Sequence, residues 1–162
     1  MTTPSVPITP SGGQPAASLP ADTEAAVQAA LGAEHAVIWI YGLVSAFLPE
    51  GYDAAIASGL DAHRARRDGT ERLLAAAGKT PQPAEAAYLP PQPVADEPSA
   101  LAVVVLAETD VTIAWRAVLE RCDDASVRGA ALAALTESAV RATRWRKAAG
   151  QSPATPALPG TP

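Results

Sequence analysis

Sixteen prolines partition this 162-residue chain, and their placement limits what it can fold into. Proline has no amide donor and its ring collides with the preceding turn, so helix interiors exclude it. Five prolines fall in residues 1–20, six in 81–98 and four in 153–162, while Pro49 stands alone. Three stretches are left free of proline: 21–48, 50–80 and 99–152. These stretches are rich in Ala, the best helix former, and show no sustained strand-like alternation. The chain therefore reads as all-α, with helices over about 22–48, 52–77, 96–122 and 125–149.

Local signals mark the helix ends. Asp22 or Thr23 suits the first N-cap, and Pro49 closes that helix. Gly78 suits the residue just past the second helix. Pro98 is tolerated in the first turn of the third. Asp123 and Asp124 separate the third from the fourth, which ends at Gly150. Arg141, Arg144, Arg146 and Lys147 cluster toward that end, where the helix dipole favours cations.

Segment 81–98, PQPAEAAYLPPQPVADEP, is too long for a tight turn. It reads as a crossover, with Tyr88 and Leu89 expected to pin it to the surface. Two short connections and one long one give two antiparallel hairpins joined by a Pro-rich crossover, a ferritin-like four-helix bundle. An up-down-up-down bundle with one loose loop is the alternative. The expected organisation is a disordered tail over 1–20, a bundle over 21–150 with its crossover at 79–97, and a disordered tail over 151–162.

Composition narrows the function classes. Apolar residues make up 48% and charged residues 18%, enough for one globular core. A net charge of −5 argues against general nucleic-acid binding, which needs a basic surface. The single cysteine, Cys122, forms no intramolecular disulfide and offers no zinc spacing; a buried inert thiol is expected. The N-terminus lacks a basic start and a signal-type apolar stretch, and no apolar run of spanning length is evident. The expected location is cytoplasmic. There is no Ser–His–Asp spacing and no Gly-rich phosphate loop, so no catalytic residue is proposed.

Four ionisable residues interrupt the apolar stripes. In helix 1 the stripe Val27, Leu31, Ile38, Tyr41, Ser45 skips the position filled by Glu34, with His35 beside it. In helix 2 His63 follows Ile56 and Leu60, with Arg67 one turn later. In helix 3 Glu108 lies between Val105 and Val111, ahead of Trp115 and Leu119. In the Ala-dominated helix 4, Glu137 fits a stripe of Val127, Ala130, Ala134 and Val140, with Arg141 one turn on. Each lies roughly 10–13 residues from its helix start, near mid-length at ~1.5 Å per residue. Antiparallel packing would bring all four into one layer. The hairpins also align weakly: 74 positions after Glu34, Tyr41, His63 and Arg67 stand Glu108, Trp115, Glu137 and Arg141.

Two chemistries suit such a layer. A metal site would use Glu34, His63, Glu108 and Glu137, with His35 as a further ligand, and iron or manganese as the ion. Its activity would be oxidase-type or metal storage. The Glu-x-x-His pairs of di-metal bundles are absent, since Leu60 precedes His63 and Val140 follows Glu137 at that spacing. A buried polar network would instead balance Glu34, Glu108 and Glu137 against His35, His63, Arg67 and Arg141. A small-ligand pocket is a third reading. The Arg-rich HRARRD run at 63–68 is expected to be mainly a solvated helix face, and Trp39, Tyr41, Trp115 and Trp145 to be packing residues.

The blocks ALGAEHAVIWIYG, LDAHRARRD and ALTESAVRATRWRKAA resemble an uncharacterised actinobacterial family classed as ferritin-like. The resemblance spans about residues 24–149. It implies a ferritin-like fold and an Ala-rich cytoplasmic or envelope protein, and it carries no activity with it. The expected role is non-enzymatic and exercised through protein–protein contacts, with a homodimer or another protein as partner.

Overall fold

The computed structural model describes residues 19–161. The expected N-terminal tail falls almost wholly outside them. Four helices form the body: α1 (Ala21–Val44), α2 (Asp53–Ala76), α3 (Glu97–Arg121) and α4 (Ala125–Ala148), with a single 3-10 turn, Glu50–Tyr52, leading into α2. Among the described residues there is no strand.

The ends follow from local chemistry. Asp96 caps α3 by accepting the Ser99 amide at 2.9 Å, while Ser99 Oγ accepts the Asp96 amide at 3.0 Å. Asp124 caps α4 through the Val127 amide at 2.9 Å. Gly78 and Gly150 follow α2 and α4 with φ of 72° and 67°, a backbone state that favours glycine. Neither Asp22 nor Thr23 caps α1, because the helix begins behind Pro20. Thr23 instead donates its hydroxyl to the Arg121 carbonyl, tying the start of α1 to the end of α3.

Side-chain pairs fix the directions. Residues 23, 34 and 41 of α1 meet 121, 115 and 108 of α3, so the two helices are antiparallel. Glu34 meets His63 and Arg66 while Gly59 lies against Tyr41, which sets α2 antiparallel to α1. Arg146 of α4 reaches Thr109 and Arg128 reaches the Leu119 and Cys122 carbonyls, so α4 runs against α3. The last turn of α2 and the first of α3 therefore lie at opposite ends, and residues 77–96 travel the length of the body. Gln28 holds that crossover at Thr80 and Gln82, 2.8 Å each, and Tyr88 leans on Trp39 with ring centroids 6.3 Å apart. Leu89, expected to help, is 96% exposed and pins nothing.

α1 and α3 are the central pair. Val27, Ala30, Leu31, Tyr41, Val44, Ala100, Val104, Val111 and Val118 are fully buried along them. α1 is long and apolar enough to cross a membrane, with mean hydropathy 1.3 over its best 18-residue window, contrary to the expectation that no such run exists. Its position between α2 and α3 accounts for that apolarity, since half of the window is buried. The buried face of α4 is Val127, Ala131, Ala134, Ser138, Ala142 and Trp145. The expected stripe through Ala130, Glu137 and Val140 is displaced, and these three are exposed. With alanine on both faces, the periodicity of α4 does not decide which one turns inward.

Residues 151–161 form no helix or strand, but they do not stand clear of the body. Gly160 is buried, and a side-chain carbon there would fall 2.9 Å from the Thr112 carbonyl oxygen. Gly59 has a similar role nearer the centre. A Cβ at that position would overlap the Tyr41 ring, which is fully buried and held by its hydroxyl. Gly59→Ala is therefore expected to cost about 1–3 kcal/mol in urea unfolding by overpacking. An unchanged midpoint would mean that the Tyr41 ring is free to withdraw.

Candidate functional site: a buried carboxylate–imidazole–guanidinium layer

Glu34, His63 and Glu108 meet at the centre, each with 0% exposure. His63 Nδ1 lies 2.7 Å from Glu34 Oε2, and Nε2 lies 3.1 Å from Glu108 Oε1. With a carboxylate oxygen on each side, both ring nitrogens are assigned as donors, which makes His63 an imidazolium. Burial pushes its pKa down, but hydrogen bonds and charge from Glu108 and Glu34 outweigh burial and raise it above the usual 6.5. Burial likewise pushes Glu34 up, yet His63, Arg66 and Trp115 together bring it below the usual 4.5.

Aromatic donors on α1, α3 and α4 supply further bonds. Trp115 of α3 donates its indole N–H to Glu34 Oε1 at 2.7 Å, and Tyr41 of α1 donates its hydroxyl to Glu108 Oε1 at 2.6 Å. Each donor stands seven residues after its own helix's glutamate, on the same face, and serves the glutamate of the other helix. Trp145 of α4 donates to the Tyr41 oxygen at 2.9 Å. Burial and the Glu108 carboxylate hold the Tyr41 hydroxyl well above its ordinary pKa, so it remains a donor.

Arg66 completes the layer. Its Nη1 donates to Glu34 Oε1 at 3.1 Å and to Ser138 Oγ at 2.9 Å, and its Nη2 donates to Glu137 Oε2 at 3.2 Å. Two buried carboxylates thus face one imidazolium and one guanidinium, and the charges cancel. One atom is left over: Glu108 Oε2 is buried without a partner among the described residues.

Sequence reasoning placed some of these residues and missed others. Glu34, His63 and Glu108 are together as expected. Glu137 is not in the layer; it is 58% exposed and bridges Arg66 to Arg141, whose Nη2 lies 3.5 Å away. Ser138 takes the inward position. Arg67 does not face the seam either: it pairs with its neighbour Asp68, Nε to Oδ1 2.8 Å, and Arg66 points inward in its place. Three and four residues after His63 are both inward-compatible on a helix, so spacing alone did not separate the two arginines. His35 is buried but turned to the crossover, donating Nε2–H to the Gln82 carbonyl at 3.2 Å. Tyr41 and Trp115 are hydrogen-bond donors to the layer as well as packing residues. Their seven-residue spacing from the two glutamates was the available signal.

The arrangement bears directly on metal binding. Metal ligands need free lone pairs, and a ligating histidine must present a deprotonated nitrogen. Both oxygens of Glu34 and both nitrogens of His63 are committed, and the Arg66 cation sits on the same carboxylate. Among the described residues no group of three His, Cys, Asp or Glu side chains is arranged to hold a metal ion. As oriented, the donor set does not fit a resident ion.

Comparison with known proteins supplies the lineage. The model of a domain of unknown function, DUF4439, matches residues 26–162, which cover the four helices except for residues 21–25 at the start of α1. The chain belongs to the DUF4439 family. Its fold is similar to the crystal structure of a conserved hypothetical protein, rv2844, from Mycobacterium tuberculosis, with a TM-score of 0.79 and 43% identity over 81% of this chain and 99% of that one. No functionally curated protein matches it significantly.

The charge state of the layer in this DUF4439 chain has measurable consequences. Glu34→Ala leaves the Trp115 indole and His63 Nδ1 without an acceptor and the buried layer with one excess positive charge, and is expected to cost about 3–5 kcal/mol in urea unfolding. A cost below about 1 kcal/mol would contradict its burial. The pH profile follows from linkage. A raised His63 pKa gives stability that is full below about 6.5 and is lost as pH climbs through the folded-state value. A lowered Glu34 pKa gives stability that is full above about 4.5 and is lost as pH falls through its folded-state value. Unfolding free energy should peak between those limits, and a His63→Gln chain should lose the alkaline decline. A wild-type profile flat from about pH 6.5 to 9 would overturn the imidazolium assignment.

Proposed function

We propose that this chain is a ferritin-like bundle whose central polar layer is structural, and that it acts through protein contacts without catalysing a reaction. Two antiparallel hairpins joined by a body-length crossover support the ferritin-like reading. The observation that carries the structural reading is the Arg66 guanidinium on Glu34, 3.1 Å from Oε1, while His63 occupies the other oxygen. A guanidinium and an imidazolium supply the positive charge that iron or manganese supplies in a metal-bearing bundle. The contact role rests on outward-facing apolar residues of α3 and α4, where Leu106, Leu132 and Val140 are 42%, 55% and 46% exposed. A second copy of the chain is the partner this reading expects, in a cytoplasmic setting.

One preparation, purified without chelator, tests both parts. Metal analysis followed by Fe(II), Mn(II) and Zn(II) titration should give no stoichiometric ion and no change in melting temperature. A stoichiometric metal that disappears in the Glu34→Ala, Glu108→Ala double variant would sink the structural reading in favour of metal binding. Sedimentation velocity should return a dimer mass that falls to a monomer in Leu132→Glu; a monomer at every concentration would sink the homodimer.

A further inference from the structure

A cavity of about 420 Å³ opens between the start of α2 and the end of α4. Its wall is formed by Tyr52 and Trp145, whose rings are stacked at 5.7 Å with a 35° tilt. Ala54, Ala55 and Ser58 line the α2 side, and Arg141 and Arg144 line the α4 side. Among the described residues the two arginines are the only charged ones on the cavity surface.

Charge here runs against the rest of the chain, which carries a net −5. Two carboxylates reach the cavity wall from outside its lining, and each already has a partner. Glu137 sits 3.5 Å from Arg141 Nη2 while also bound to Arg66, and Glu97 accepts the Tyr52 hydroxyl at 3.2 Å. Arg144 makes no ion pair among the described residues, and Arg141 Nη1 is buried without an acceptor. A buried guanidinium nitrogen without a partner is costly, and sites that leave one open are filled by water or by a ligand oxyanion. Guanidinium groups match carboxylate and phosphate oxygens, and aromatic walls accept a flat apolar body.

We infer that this cavity binds a small oxyanion attached to an aromatic ring, with the anionic group on Arg141 and Arg144 and the ring against Tyr52 and Trp145. The volume suits a single ring with its anionic substituent and excludes a dinucleotide-sized ligand. A carboxylate and a phosphate share this chemistry, and separate probes distinguish them. The inference does not rest on the charge state of the central layer: none of the cavity-lining residues is Glu34, His63 or Glu108, although Trp145 also donates to Tyr41.

Calorimetric titration with phenyl phosphate and with benzoate tests it, alongside inorganic phosphate and acetate as probes lacking the ring. At least one aryl anion should bind saturably with a Kd at or below about 1 mM. Its counterpart without the ring should bind at least about tenfold more weakly. Nuclear magnetic resonance of the indole N–H signals should show Trp145 shifting while Trp39 and Trp115 hold still. Arg144→Ala, an exposed position whose loss leaves the core untouched, should weaken binding about tenfold or more, while Arg116→Ala on α3 leaves it unchanged. The proposal is overturned if neither aryl anion saturates, if Arg144→Ala binds as the native chain does, or if the responding indole is not Trp145.

Discussion

An imidazolium enclosed by two carboxylates is costly to bury, and the architecture is arranged around meeting that cost. Each ion removed from water loses several kcal/mol of hydration, recovered only through close pairing and complete hydrogen bonding. His63 obtains both at 2.7 and 3.1 Å from Glu34 and Glu108. That demand brings three helices to a common depth. It also recruits a fourth, because Glu34 Oε1 needs Arg66, and Arg66 in turn needs Ser138 and Glu137 on α4. The contacts between α2 and α4 that pass through Arg66 are thus an outcome of satisfying one carboxylate.

The central pair shows a crosswise exchange. Glu34 and Trp115 lie on opposite helices, as do Glu108 and Tyr41, and each aromatic donor serves the glutamate across from it. Sliding α1 along α3 by one residue would break both bonds together and leave two carboxylates short of donors. Apolar packing alone tolerates such slippage far better, because alanine and valine faces offer many nearly equivalent registers. Charged layers of this kind contribute little net stability compared with a well-packed apolar core. Their effect here is to make the native alignment of α1 and α3 much cheaper than its neighbours.

The sequence made the helices and the strongest part of the layer readable. Proline placement bounded α1, α2 and the outer ends of the α3–α4 pair, Asp123 and Asp124 divided that pair, and Glu34, His63 and Glu108 were identified because each interrupts a clear apolar stripe. Legibility ended where the stripe was ambiguous. On α4, alanine occupies inward and outward positions alike, so Ser138 and Glu137 were separated only by packing. On α2, Arg66 and Arg67 are neighbours with equal claim by spacing, and the position of Glu34 selects Arg66. Tyr41 and Trp115 were assigned to packing correctly but incompletely, since periodicity reports which side a residue faces and not whether its polar atom has a partner. The Arg141–Arg144 cavity had no sequence signature beyond cations near a helix end.

The crossover carries a consequence for assembly. Residues 77–96 are long enough to travel the body, and the layer they connect is composed equally of groups from the first and second hairpins. In bonding terms, Glu34 and His63 are completed as well by Glu108 and Trp115 of another molecule as by their own. Intramolecular completion is favoured by effective concentration, which falls only slowly with linker length. The stitches from Gln28 to Thr80 and Gln82, and from Trp39 to Tyr88, lay the connection along its own α1 and raise that local concentration further. The surface contacts of a proline-rich strap therefore favour pairing of the hairpins within one molecule over exchange between two.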